Sequence, residues 1–230
     1  MNNELAHRSS TLAGKKGRGD MGGDLLTWEK PYCDIIRDMM VHPAFMPRLE
    51  AVLGKGFRLE GLGGITMDEG TGGFWFHEGG EPIDPSRAYL YRNGRMYCGM
   101  TNIAVQLTDV SPGDGGFACL PGSHKANFPC PDDIRLYEAH QVRIVQITAR
   151  AGDAIFFTES LMHGALPWTA KHQRRTILMR YNAGTIGESL SGGTYTPPPF
   201  YDELTELQKS VITAPHYRRP DKGSELYKPR

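Results

Sequence analysis

The chain has 230 residues, enough for one sizeable core and better suited to one domain than to two. Lys+Arg and Asp+Glu each number 26, so no net charge draws the chain to nucleic acid or to an anionic membrane. The 28 glycines and 16 prolines point to a turn-rich β architecture, and Cys33, Cys98, Cys119 and Cys130 lack the C-x-x-C spacing of a zinc site. Nothing reads as a signal peptide and no apolar run reaches membrane length, so a reduced, cytoplasmic setting is the default expectation.

Residues 1–24 are polar, glycine-rich and aperiodic, and are expected to be a flexible leader whose KKGRGD stretch is solvated. Residues 28–54 read as two short helices, with one apolar stripe of Ile35, Ile36, Met39 and Met40 and another of Phe45, Met46, Leu49 and Leu53. Pro43 separates them and Gly54 supplies a stop. From Phe57 the texture changes to short β-branched and aromatic runs between turn signals. These are FRLEGLGGITM, GFWFH, RMYCGMTNIAVQLTDV, GFACL, VRIVQIT, DAIFFT and RTILMRYN. A brief helix is expected over 131–140 and another over 201–212, with a tail over 216–230. The pattern predicts a mainly β fold with flanking helices, a sandwich or jelly roll, as a single domain over 25–215.

Two histidines stand at strand ends. His77 closes GFWFH, and His163 follows the apolar strand and polar turn of IFFTESLMHG. Arg174 comes eleven residues after His163, at the head of RRTILMRYN. Such residues can converge inside a jelly roll, where imidazole nitrogens suit iron and a guanidinium fork suits a carboxylate. Arg175 is the adjacent rival and would point to the opposite strand face. His124 reads as structural, and His7, His42, His140, His172 and His216 as surface residues. Phe74, Trp75, Phe76, Tyr89, Tyr91 and Trp168 are candidates for an apolar pocket wall or for plain core.

The run NGRMYCGMTNIAVQLTDVSPGDGGFACLPGSHKANFP, with AGDAIFFTESLMHGALPW and RRTILMRYN, resembles the phytanoyl-CoA dioxygenase family. The resemblance spans roughly 28–190 and is strongest over 94–182. It implies a double-stranded β-helix (jelly-roll) oxygenase that uses Fe(II), 2-oxoglutarate and O2 on a small-molecule substrate. By it His77 and His163 would bind iron, Arg174 would clamp the distal carboxylate of 2-oxoglutarate, and Asn102 would face the cosubstrate. The first helices arrive early against the family, so an N-terminal portion common in relatives is expected to be short or missing.

The sequence departs from that family at two places. The usual ligand pattern is His-x-Asp or His-x-Glu, whereas this chain reads His77-Glu78-Gly79. The position two after the distal histidine, often serine, is Ala165. Three readings of Gly79 follow. In a hydroxylating oxygenase, ranked first as the commoner chemistry, the carboxylate comes from elsewhere or is missing. Glu78 would serve if Gly79-Gly80 breaks the strand, and Glu159 shares the face of His163 only if 159–163 stays extended. In a halogenase, chloride fills the position opened by the missing carboxylate. In a silent jelly roll, the fold binds a ligand or partner without turnover.

Overall fold

The computed structural model describes residues 19–20, 24–77, 84–126, 129–135, 143–187 and 195–216. Most of the expected leader, the tail from 217, residues 136–140 of the expected third helix, and Glu78, Gly79 and Gly80 lie outside them.

In chain order the elements are β1 (Gly19–Asp20), α1 (Tyr32–Met39), α2 (Met46–Leu53), β2 (Arg58–Met67) and β3 (Phe74–His77). A hairpin of β4 (Tyr89–Arg92) and β5 (Arg95–Cys98) leads into β6 (Thr101–Gln106) and β7 (Gly116–Cys119). Then come α3 (Asp132–Arg135), β8 (Val145–Gln146), β9 (Ala154–Thr158), β10 (His163–Leu166), β11 (Arg174–Asn182) and α4 (Glu206–Val211). The larger sheet has the order β1-β2-β11-β6-β9 and the smaller β3-β10-β7-β8. Every pairing in both is antiparallel. This is the expected β-rich jelly roll with flanking helices.

Several expected elements are redrawn. β1, inside the expected leader, pairs with β2. RMYCGMTNIAVQLTDV is two strands, broken at Gly99, where a Cβ would stand 2.4 Å from the Ser86 carbonyl oxygen. β4 was not among the expected strands. Its turn carries Asn93 and Gly94 at φ 53 and 73, the left-handed pair that a two-residue hairpin requires. The expected last helix is α4 preceded by a short turn of helix at Tyr201–Glu203. Its N-terminus closes with a capping box between Thr205 and Gln208.

The period of two along the larger sheet sorts its side chains into two layers. Ile103, Val105, Ile177, Met179 and Tyr181 face the helices, packing with Ile36, Met40, Leu49, Leu53 and Val211. Each such fully buried side chain contributes about 1.5–3 kcal/mol. Tyr181 donates its hydroxyl hydrogen bond to the Met40 carbonyl at 2.7 Å, so even this layer's polar tip is satisfied. Ile35 is 59% exposed, so the α1 stripe is narrower than its apolar residues suggested. Gln208 donates to Asp38 at 2.9 Å and Arg37 pairs with Glu203 at 2.9 Å, fastening the C-terminal segment to α1. The other layer of the sheet faces the smaller sheet across a cavity.

Candidate metal and cosubstrate site

The cavity between the sheets measures about 480 Å³. Arg174, Thr176, Leu178 and Arg180 line it from alternate positions of β11, with Asn102 and Ala104 from β6. Phe117, His163 and Ala165 line it from the smaller sheet, with Phe74 and His77 from β3. Antiparallel pairing sets His77 of β3 directly opposite His163 of β10, and the two rings lie 4.2 Å apart between centroids. The sequence-predicted pair therefore converges.

Glu159 joins them. Its carboxylate and ligand nitrogens of His77 and His163 all lie within 4.8 Å of one another, the one cluster of this kind among the described residues. The His77 Nε2 to Glu159 Oε1 distance is 4.0 Å. The sequence reading required 159–163 to stay extended for this to happen; instead, Glu159 and Ser160 form a turn. That turn carries the chain from β9 in one sheet to β10 in the other, which is why a residue four positions away can face the same point. Glu159 is 8% exposed and is anchored twice. Its amide donates to the Met100 carbonyl at 2.9 Å, and its Oε2 accepts from Asn102 Nδ2 at 2.5 Å.

The donors are of a kind that a cation takes. The His163 ring nitrogen Nδ1 is 2.6 Å from the Leu161 carbonyl, which can only accept, so Nδ1 carries the proton and Nε2 keeps the lone pair that a metal would take. Burial holds His163 below the usual imidazole pKa, with Glu159 pulling the other way, so the ring is neutral near pH 7. Phe157 and Phe117 flank it at 4.9 and 5.8 Å between centroids, limiting water at that side. Two imidazoles and one carboxylate are a donor set suited to non-haem iron(II).

Arg174 is 3% exposed, with Nη1 3.2 Å from Met67 Sδ. Its seat depends on Gly116, whose φ is 78 and where a Cβ would stand 3.1 Å from Arg174 Nε. At Gly115, φ 94, a Cβ would strike the Pro167 carbonyl oxygen at 1.8 Å. The GDGG run thus has a physical purpose: it lets β7 pass close to its neighbours and leaves room for a guanidinium. Arg175, the rival, is exposed on the opposite face, hydrogen-bonded to Gln173 at 2.6 Å.

Asn102 lines the cavity, and its amide nitrogen is committed to Glu159. Among the six aromatic candidates only Phe74 lines the cavity. Phe76 and Trp168 are fully buried core, and Tyr91 is 65% exposed. Trp75 faces the Arg135 guanidinium and Tyr89 the His124 ring. Phe117 and Phe157 are the aromatic walls that the sequence reading did not single out; their alternation within GFACL and AIFFT was the available signal.

A double-stranded β-helix with two facing histidines and a carboxylate between its sheets defines an oxygenase-type scaffold. The family model described as phytanoyl-CoA dioxygenase (PhyH) matches residues 37–176, and the chain belongs to that family. An ectoine dioxygenase of Nocardia farcinica is 27% identical over 104 aligned residues, covering 36% of this chain and 35% of that protein's length. Among solved structures, HygX from Streptomyces hygroscopicus with nickel and 2-oxoglutarate bound superposes with a TM-score of 0.61 at 22% identity. That superposition covers 80% of this chain and 79% of HygX. HygX has also been solved with iron, and with nickel, 2-oxoglutarate and hygromycin B, each with a TM-score of 0.59 at 23% identity. These structural likenesses carry the fold. No helix among the described residues is long and apolar enough to cross a membrane.

Proposed function

We propose that the protein is an iron(II)/2-oxoglutarate-dependent oxygenase that oxidises an unactivated C–H bond of a small molecule. The observation that carries this reading is the convergence of His77, His163 and Glu159 in the same cavity as the buried Arg174. His77, His163 and Glu159 would hold the metal. Arg174 would take the distal carboxylate of 2-oxoglutarate with two parallel hydrogen bonds, in a seat where that charge is shielded from water. Bound iron(II) and 2-oxoglutarate supply, with O2, the oxidising power that no side chain has. Asn102 fixes the Glu159 carboxylate, while Phe117, Phe157 and Ala165 give the reacting region apolar walls. The cavity volume suits a small molecule rather than a chain. The ectoine and hygromycin B of the relatives' names support the same substrate scale.

A second reading, halogenation, rests on Gly79 standing where the family places its carboxylate. Glu159 argues against it, because a carboxylate in the cluster fills the position and repels a halide. An anaerobic titration with iron(II), 2-oxoglutarate and chloride, followed by the metal-to-ligand charge-transfer band, separates the readings. The oxygenase reading expects the band in the parent, no chloride response, weak iron binding in Glu159→Ala and no band in His163→Ala. Chloride sensitivity in the parent that vanishes in Gly79→Asp would favour halogenation. Loss of iron in Glu78→Ala but not in Glu159→Ala would move the ligand to Glu78. No band at all would leave a silent binding fold.

A further inference from the structure

Arg180 is a second arginine on the cavity face of β11, six residues beyond Arg174 and exposed where Arg174 is buried. The two mark the shallow and deep ends of one wall. Among the described residues the Arg180 side chain has no hydrogen-bond or ion-pair partner, and it lies near enough to His163 to lower that group's pKa. Its neighbours explain why. On one side it is in register with Gly61 of β2, which offers no side chain and would bring a Cβ only to 3.8 Å from Arg180 Nη1. Gly63, two residues on and in register with Leu178, has nothing within 4 Å of its Cβ position. The wall beside Arg180 is therefore bare backbone. On the other side Arg180 is in register with Asn102, whose Oδ1 is buried with no hydrogen-bond partner among the described residues.

Resting on the function proposed above, the charges in the cavity can be paired off. Glu159 and the two carboxylates of 2-oxoglutarate would be balanced by iron(II) and Arg174. Glu60 is paired with Arg58 and Arg87 with Asp84. Among the described residues Arg180 is the cavity cation left over, beside an acceptor that lacks a donor there. We propose that Arg180 anchors an anionic group of the prime substrate, with Asn102 Oδ1 accepting a hydrogen bond from an adjacent hydroxyl or amine. The substrate body lies over the bare Gly61–Gly63 stretch. The class is a small hydroxy or amino acid rather than a neutral or cationic molecule.

The test uses a panel of small 2-hydroxy and 2-amino acids, each paired with its primary amide. Succinate release and thermal shift are read, both with saturating 2-oxoglutarate so that Arg174 is occupied. Acids should outperform their amides, and Arg180→Gln should lower the response to acids by about tenfold or more while the charge-transfer band is unchanged. Arg180→Glu should invert the preference toward amine-bearing amides, a reversal that a merely structural role would not give. Gly63→Leu should fill the space and weaken every acid. Equal response to acids and amides, no response to any acid, or unaltered selectivity in both Arg180 variants overturns the proposal. Loss of the charge-transfer band in the parent sinks the oxygenase reading instead, and the thermal-shift comparison of acids with amides still decides the role of Arg180.

Discussion

The two faces of the larger sheet are built from the same strands and serve opposite ends. On β11, Ile177, Met179 and Tyr181 disappear into the layer shared with the helices, while Arg174, Thr176, Leu178 and Arg180 line the cavity. On β6, Ile103 and Val105 alternate with Asn102 and Ala104 in the same way. The helix face is closed, apolar and hydrogen-bonded at its one phenol. The cavity face carries charges and amides whose burial is a cost unless something binds them. The difference teaches that stability and chemistry here are divided by parity of residue number along a strand, so each can be altered without the other.

The largest break comes from the helix face. Met179→Ala removes a fully buried side chain and should cost about 2–5 kcal/mol of stability in chemical unfolding. Iron and 2-oxoglutarate binding should persist below the unfolding transition. A loss of binding without a loss of stability would show that the faces are not separable. From the cavity face, Arg174→Lys should weaken 2-oxoglutarate by about 1.5–3 kcal/mol, since an ammonium cannot reproduce the fork. Its unfolding midpoint should hold, and isothermal titration measures the binding change. If Arg175→Lys gives that loss and Arg174→Lys does not, the wrong arginine has been assigned. Asn102→Ala releases the Glu159 carboxylate and should lower iron(II) affinity about 10–100-fold, the usual effect of removing a group that orients a ligand.

The smallest effect lies outside the larger sheet, on β5 and β7. Burial pushes the Cys98 thiol up to about 11 and raises that of Cys119. Raised values mean less thiolate, so at pH 8 both should alkylate slowly in the folded protein and quickly once it is denatured. Mass spectrometry of labelled peptides reads this directly, and fast labelling of Cys119 under native conditions would mean that β7 opens.

His77, His163 and Arg174 were legible as candidates because each ends or begins a strand. Their convergence agrees with that reading of alternation and spacing. Glu159 is harder to read from sequence because strand logic assumes extended backbone. A turn that crosses between sheets obeys different geometry, which no periodicity in ESLMH reveals. Strand β4 is hidden for a related reason, whereas RMYC of β5 falls inside an expected run. In β4 three of four residues are exposed, so YLYR carries no alternation, and only the Asn93-Gly94 turn marks it. Arg180 carries no signal in the sequence, and only the register places it beside Gly61 and Asn102.

The position of β11 has a bearing on how the chain reaches this form. It lies between β2 and β6, pairing Arg174 with Met67 at one end and Asn182 with Arg58 at the other. Those contacts join segments more than a hundred residues apart in sequence, and such long-range pairing slows folding because a large loop must close before any reward arrives. During synthesis β2 and β6 emerge well before their shared neighbour, each exposing a strand edge to other chains. A nascent chain that stalls short of residue 174 would carry two unpaired edges and an open apolar layer, the combination most prone to association. The strand that holds Arg174 and Arg180 is therefore also the one whose arrival commits the whole domain to its fold.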